Sequence, residues 1–240
     1  MSVSLPLAEL LQQQADWLAP ARSRLLRRVA IAHRRTILDL GAGYGAVTAE
    51  LVRRSSGQVI ACDWALGALR THRQDIAAAQ RVCSDARHLP FTAATFDLVF
   101  CQCVLLWVPN LARVVAEIRR VLQPGGAFIA LEPDYGGMIE YPPAIATRDL
   151  WLAALQRAGA QPYIGRMLPG LLATQGFTVR VDLLPELHPP ADARFALLRG
   201  LPLTRQERTR LQRIERYDAA LSADWSRIAH LPFLLITGTC

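Results

Sequence analysis

Over roughly the first 160 of its 240 residues, short apolar runs of strand character alternate with amphipathic runs of helical period. A chain written this way folds as a parallel sheet with helices on both faces, because each strand needs a crossover to lie alongside the one before it. Strands are expected at 36–40, 58–62, 82–84, 96–101 and 127–131. Helices are expected at 65–79, from Asn110 as N-cap to Leu122, and at 148–158. Gln123-Pro124-Gly125-Gly126 ends the second of these. With 52% hydrophobic and 20% charged residues the chain can fill a core of this kind, which excludes a disordered chain.

Two stretches flank the alternating region. Before it, Leu7, Leu10, Leu11, Trp17 and Leu18 share one helical face. Pro20 then opens a second helix, on which Leu25, Leu26 and Val29 oppose Arg22, Arg24, Arg27 and Arg28, so the arginines are expected to face solvent. After it, Phe177, Val179, Val181 and Leu183 alternate with Thr178, Arg180 and Asp182, as in a strand with two unlike faces, and residues 232–237 form a last strand. The roughly 45 residues between those strands exceed an ordinary loop. Within them Thr204 and Glu207 form a capping box, and Leu211, Ile214, Tyr217 or Asp218, Leu221 and Trp225 step along one helical face. The helix packs on the domain, or acts as a lid or a subunit contact. The expected division of a single domain, 1–240, is N-terminal helices at 1–35, core at 36–184, helical insert at 185–230 and last strand at 231–240.

A glycine-rich turn, Gly41-Ala42-Gly43-Tyr44-Gly45, joins the first strand to a helix, where backbone can approach a ligand closely and unpaired N–H groups face an anionic part of it. Asp63 follows Gly43 by twenty residues, at the end of the second strand, where a carboxylate can accept from ribose hydroxyls. The pair favours a nucleoside ligand. G-x-G-x-G lacks the third glycine of the dinucleotide fingerprint, which disfavours NAD, and the absence of Lys from the chain excludes a P-loop.

Five segments in order resemble the class I, seven-stranded S-adenosylmethionine-dependent methyltransferases, in particular the type 11 group that includes quinone-biosynthesis enzymes. They are Ile37-Leu38-Asp39-Leu40-Gly41-Ala42-Gly43, Val59-Ile60-Ala61-Cys62-Asp63, Ser84-Asp85-Ala86-Arg87-His88-Leu89-Pro90-Phe91, Phe96-Asp97-Leu98-Val99 and Arg120-Val121-Leu122-Gln123-Pro124-Gly125-Gly126. The resemblance implies a Rossmann-like sheet of seven strands, mostly parallel with an antiparallel last strand, and S-adenosyl-L-methionine as cofactor. It implies that Asp39, Gly41 and Gly43 lie along the methionine moiety, Asp63 holds the ribose, Asp85 and Ala86 meet the adenine, Trp64 packs on one adenine face, and Gln102 lines the cofactor near the transferred methyl. The implied activity is methyl transfer to a small organic acceptor. Alternatives are an RNA acceptor held by the entry helix or the Arg-rich segment 205–216, and a protein that keeps the cofactor fold without methylating.

A base is needed only if the acceptor must lose a proton, and Glu132 and Tyr135, directly after the fifth strand, are the candidates. Many relatives place a His in the segment that here reads Val104-Leu105-Leu106-Trp107-Val108, and this chain has Leu106. Of the histidines, His88 is expected at the surface, His72 on a helix, and His188 near the possible lid. No metal site is expected: Cys101 and Cys103 lack further ligands at suitable spacing and read as inert thiols. The net charge of +7 arises wholly from arginine and is spread along the chain, so nucleic acid ranks low as a partner. Residues 1–20 carry no Lys or Arg and no run reaches 18 apolar residues, so no signal peptide or membrane span is expected, and a cytoplasmic protein with reduced cysteines is.

Overall fold

The computed structural model describes residues 8–71, 78–184, 194–221, 223 and 225–240. His72 and His188 lie outside them, as do residues 72–77 of the helix expected at 65–79. Short, doubly buried runs make the middle of a seven-stranded sheet. β1 (Thr36–Leu40) pairs in parallel with β2 (Gln58–Asp63) on one side and β4 (Phe96–Gln102) on the other. β3 (Gln80–Cys83) lies outside β2, and β5 (Leu122–Pro133) beside β4. The remaining two strands are antiparallel neighbours: β9 (Phe233–Thr239) runs between β5 and β7 (Thr178–Leu183). The order is therefore β3-β2-β1-β4-β5-β9-β7. From β1 the chain builds outward through β2 and β3 and then restarts at β4 on the other side. The ends of β1 and β4 thus flank the switch point, where open α/β sheets hold their ligands.

Alternate residues of each strand feed two cores. Ile37, Leu98, Phe100, Ile129 and Leu131 pack against α1 (Ala8–Arg28) and α2 (Thr48–Arg54), and Leu38, Leu40, Val99 and Phe128 against α4 (Leu111–Val121) and α6 (Ile164–Thr174). The other α-helices among the described residues are α3 (Leu66–Arg70), α5 (Arg148–Arg157), α7 (Arg194–Arg199) and α8 (Arg205–Ala219). Asn110 caps α4 by accepting from the Arg113 N–H, and the Thr204–Glu207 capping box opens α8, both as expected.

Several expectations need correction. The entry segment is one helix, α1, with Pro20 inside it and not at the start of a second. Ala15, Leu18, Ala21, Leu25 and Leu26 form a single buried stripe through the proline, and packing of that stripe outweighs the missing N–H. Arg22 is not at the surface: it is 3% exposed. β5 begins five residues before the expected strand, because Leu122 already pairs with Phe96 ahead of a register break in which Gly125 takes φ +76°. β7 is an edge strand with Val181 and Leu183 exposed, so its alternation does not separate an inner from an outer face. α8 ends before Leu221 and Trp225, and Trp225 is exposed. α6 and a small second sheet of β6 (Ile139–Tyr141) and β8 (Ile228–His230) had no counterpart in the sequence reading.

Candidate cofactor site

The turn after β1 is built from residues that an L side chain would disturb. Gly41, Gly43 and Gly45 have φ of +77°, +52° and +84°. A Cβ on Gly41 would lie 2.3 Å from a methyl of Val104, whereas one on Gly43 would meet nothing nearer than Leu11 at 3.9 Å. The turn is tied to the neighbouring strand: the Gly41 and Ala42 N–H groups both donate to the Cys62 carbonyl, at 2.8 and 3.0 Å. Asp63 secures it from the side. One carboxylate oxygen accepts from the Gly43 N–H and the other from the Ala65 N–H, each at 2.8 Å. Each oxygen keeps a lone pair for a further donor.

Asp39 is buried behind the turn and accepts from the Thr48 hydroxyl at 2.6 Å. Burial pushes its carboxyl up to about 6; the Asp63 charge adds to this, while the Thr48 hydrogen bond and the Arg22 charge oppose it. Asp85, on the loop after β3, is half-exposed and paired with Arg87, whose Nη2 lies 2.5 Å from it; that hydrogen bond holds its carboxyl below the usual range. Ala86 is partly buried beside it, and Trp64, one residue beyond β2, is 60% exposed. His88 is exposed, as expected.

Gln102 ends β4. By the register that sets Asp39 opposite Phe100, it stands level with Gly41. Its side-chain oxygen accepts from Arg22 Nη1 at 2.9 Å. The same guanidinium donates to the Ala15 carbonyl at 2.9 Å and from Nε to Glu50 at 2.7 Å. Sequence reasoning missed Arg22, although a signal existed: it is four residues from both Leu18 and Leu26, which puts it on the apolar face.

The two acceptor-side candidates are both internal. Glu132 is fully buried, and one of its oxygens accepts from the Val104 and Leu105 N–H groups at 3.0 and 2.9 Å, capping the turn after β4. Burial pushes its carboxyl up to about 7. Tyr135 is buried with its ring 4.8 Å from that of Trp151, and burial raises its phenol far above the usual range. Burial likewise raises the Cys101 and Cys103 thiols well above normal, which keeps both protonated and unreactive.

Sheet order, glycine turn and strand-end carboxylates define a class I methyltransferase fold. Residues 38–130 match the type 11 methyltransferase-domain family model. Trans-aconitate 2-methyltransferase of Azoarcus sp. is 35% identical over 120 residues, 50% of this chain and 47% of that one. Human arginine-hydroxylase NDUFAF5 is 34% identical over 152 residues, 60% of this chain and 43% of that one. The structure of geranyl diphosphate C-methyltransferase from Streptomyces coelicolor A3(2) superposes with a TM-score of 0.62 at 13% identity, covering 92% of this chain and 75% of that one. The match to the two curated relatives spans less than half of each relative's length. Over residues 38–130 the chain is similar to a methyltransferase domain, and its fold is that of the Rossmann-like methyltransferases.

Proposed function

We propose that this protein transfers a methyl group from S-adenosyl-L-methionine to a small organic acceptor. The observation that carries this reading is the Asp63 carboxylate tying down the Gly43 N–H at the switch point while retaining acceptor capacity. That donor and acceptor set fits the group: Asp63 would hold the ribose, Asp39 with Gly41 and Gly43 the methionine portion, and Asp85, Ala86 and Trp64 the adenine, with Gln102 toward the reacting end. Bound there, the cofactor supplies an electrophilic methyl group on a sulfonium. The chain's own task is to align the acceptor and exclude water. Glu132 is fully buried with one oxygen holding the Val104 and Leu105 N–H groups, and Tyr135 is buried against Trp151, so catalysis by alignment is favoured over a dedicated base.

A small acceptor is supported by the relative named for trans-aconitate. Nucleic acid ranks behind it, and five free thiols suit a reducing compartment such as the cytoplasm. The relative named as an arginine hydroxylase makes product detection the deciding assay. Incubation of the full chain with S-adenosylmethionine and a panel of small carboxylic acids and quinols is expected to release S-adenosylhomocysteine, read by mass spectrometry. Absence of that product with every acceptor, together with absence of cofactor binding, overturns the proposal.

A further inference from the structure

On the sheet face that carries α1, Phe233 and Leu235 of β9 pack with that helix, which ends at Arg28. The next two residues of β9 on the same face are Thr237 and Thr239. The register sets Thr237 opposite Arg180 and Thr239 opposite Thr178, and residues directly opposite across an antiparallel pair share a face. Together with Arg28 and Arg34 they line a cleft of about 250 Å³. Arg34 precedes β1, so the cleft lies at the end of the sheet opposite to the glycine turn, which follows β1.

The lining is built to donate. Guanidinium groups have no acceptor, and threonine hydroxyls can donate. Arg28 and Arg180 are both tied to Asp182, at 2.5 and 3.5 Å. Arg34 is fixed by the Val29 carbonyl at 2.8 Å and the Asp97 carbonyl at 2.9 Å, while the Asp97 carboxylate is turned to the Arg35 and Thr36 N–H groups. Three arginines against Asp182 leave a surplus of positive charge that its partners hold in place. Thr237 is the most buried of the three threonines, and its hydroxyl has no hydrogen-bond partner among the described residues. Native proteins rarely leave a buried hydroxyl in that state.

We propose that this cleft binds the phosphate group of a small phosphomonoester, held by Arg28, Arg34, Arg180 and the Thr237 hydroxyl. Such a group carries about −1.5 to −2 charges at pH 7 and three strong acceptor oxygens, which match the charge surplus and the donors. A carboxylate brings one charge and two oxygens. The volume is below the usual range for drug-sized ligands, so the rest of the ligand is small. The site is separate from the glycine turn and does not rest on the cofactor reading.

The test is an NMR titration of the full chain with inorganic phosphate, at ionic strength held constant with sodium chloride. The wild-type protein is expected to show saturable shifts of the Thr178, Thr237 and Thr239 amides. Arg180→Gln and Thr237→Val should each weaken phosphate about tenfold, the scale of one hydrogen bond to a charged group. Arg208→Gln removes the same charge from the exposed side of α8 and should stay within about twofold. Thr237→Val also drops an unpartnered hydroxyl, so its unfolding midpoint without phosphate should stay level or rise. Acetate should bind at least about tenfold more weakly than phosphate. Absence of saturable shifts at these amides, a loss in Arg180→Gln alone, equal losses in all three variants, or acetate as tight as phosphate overturns the proposal. A fall in the unfolding midpoint of Thr237→Val overturns it too, because the hydroxyl is then partnered within the fold. Binding of a single-stranded oligonucleotide that Arg180→Gln weakens, with no saturation by inorganic phosphate, assigns the surface to nucleic acid and overturns it as well.

Discussion

The Asp63 carboxylate holds the Gly43 and Ala65 N–H groups, one on each oxygen, independently of any ligand. Asp63→Ala removes both and the capacity to accept from a ribose, and should weaken S-adenosylhomocysteine binding by about 1.5–3 kcal/mol, the scale of hydrogen bonds to a charged group. Unchanged affinity by calorimetry would count against the assignment. Burial gives two other acids a pH signature. Asp39 rises from 3.8 to about 6 and Glu132 from 4.5 to about 7. For a carboxyl whose folded value is raised, the folded state binds more protons in that window, so stability is highest below the unfolded value and declines as pH rises through the folded one. Thermal midpoints of the wild-type protein should therefore fall between about pH 4 and pH 7. Glu132→Gln retains an oxygen for the Val104 and Leu105 N–H groups without burying a charge, and should remove roughly 2–3 kcal/mol of that decline. The same variant should keep turnover within about threefold. A hundredfold loss with a flattened pH–rate profile would instead make Glu132 the base.

The turn between β1 and α2 depends on glycine for two separate reasons, left-handed backbone and lack of space, and they coincide at Gly41. Gly41→Ala must either push Val104 aside or open the turn, so it should cost more than about 1 kcal/mol in denaturant unfolding and weaken the cofactor as well. A control lies far from the site: Thr204→Ala removes the α8 cap and should cost about 1 kcal/mol with no change in cofactor affinity. What could be read from the residues follows the range of the forces involved. β1, β2, β4 and the glycine turn are set by local apolar runs and by backbone requirements within a few positions, and the structure has them where expected. Asp63 was legible because the βαβ unit fixes its distance from Gly43. Helical spacing places Arg22 on the apolar face, but the partners that satisfy a buried guanidinium, Glu50 28 residues on and Gln102 80 residues on, are set by tertiary structure that periodicity does not register. The three-residue strands β6 and β8 are too short to show a period and exist only because they meet each other. Pro20 misled because a rule about isolated helices was set against a long buried stripe on the sheet.

At the level of the assembled chain, the segments outside the sheet are fastened by buried ions. Asp218 on α8 accepts from Arg194 at 2.6 Å and from Arg227 at 2.8 Å, which joins α7, α8 and the approach to β8. Asp218→Ala leaves two guanidinium groups facing each other with little water and should cost about 3 kcal/mol. Hydrogen exchange should then speed up in β6 and β8 before it does in β1 or β4. α1 is fastened twice toward its C-terminal end, by the buried pair of Arg22 with Glu50 and by the partly exposed pair of Arg28 with Asp182 on β7. The strand between β5 and β7 has a consequence for how such a sheet is made. Among the described residues β7 pairs with β9 alone, and β9 is made after every other described strand. Until residues 233–239 emerge, the nascent protein holds an open β5 edge and an unmated β7, both suited to pairing with another polypeptide. The arch stands only when its keystone drops in, so the interval vulnerable to aggregation or proteolysis lasts until that strand is made.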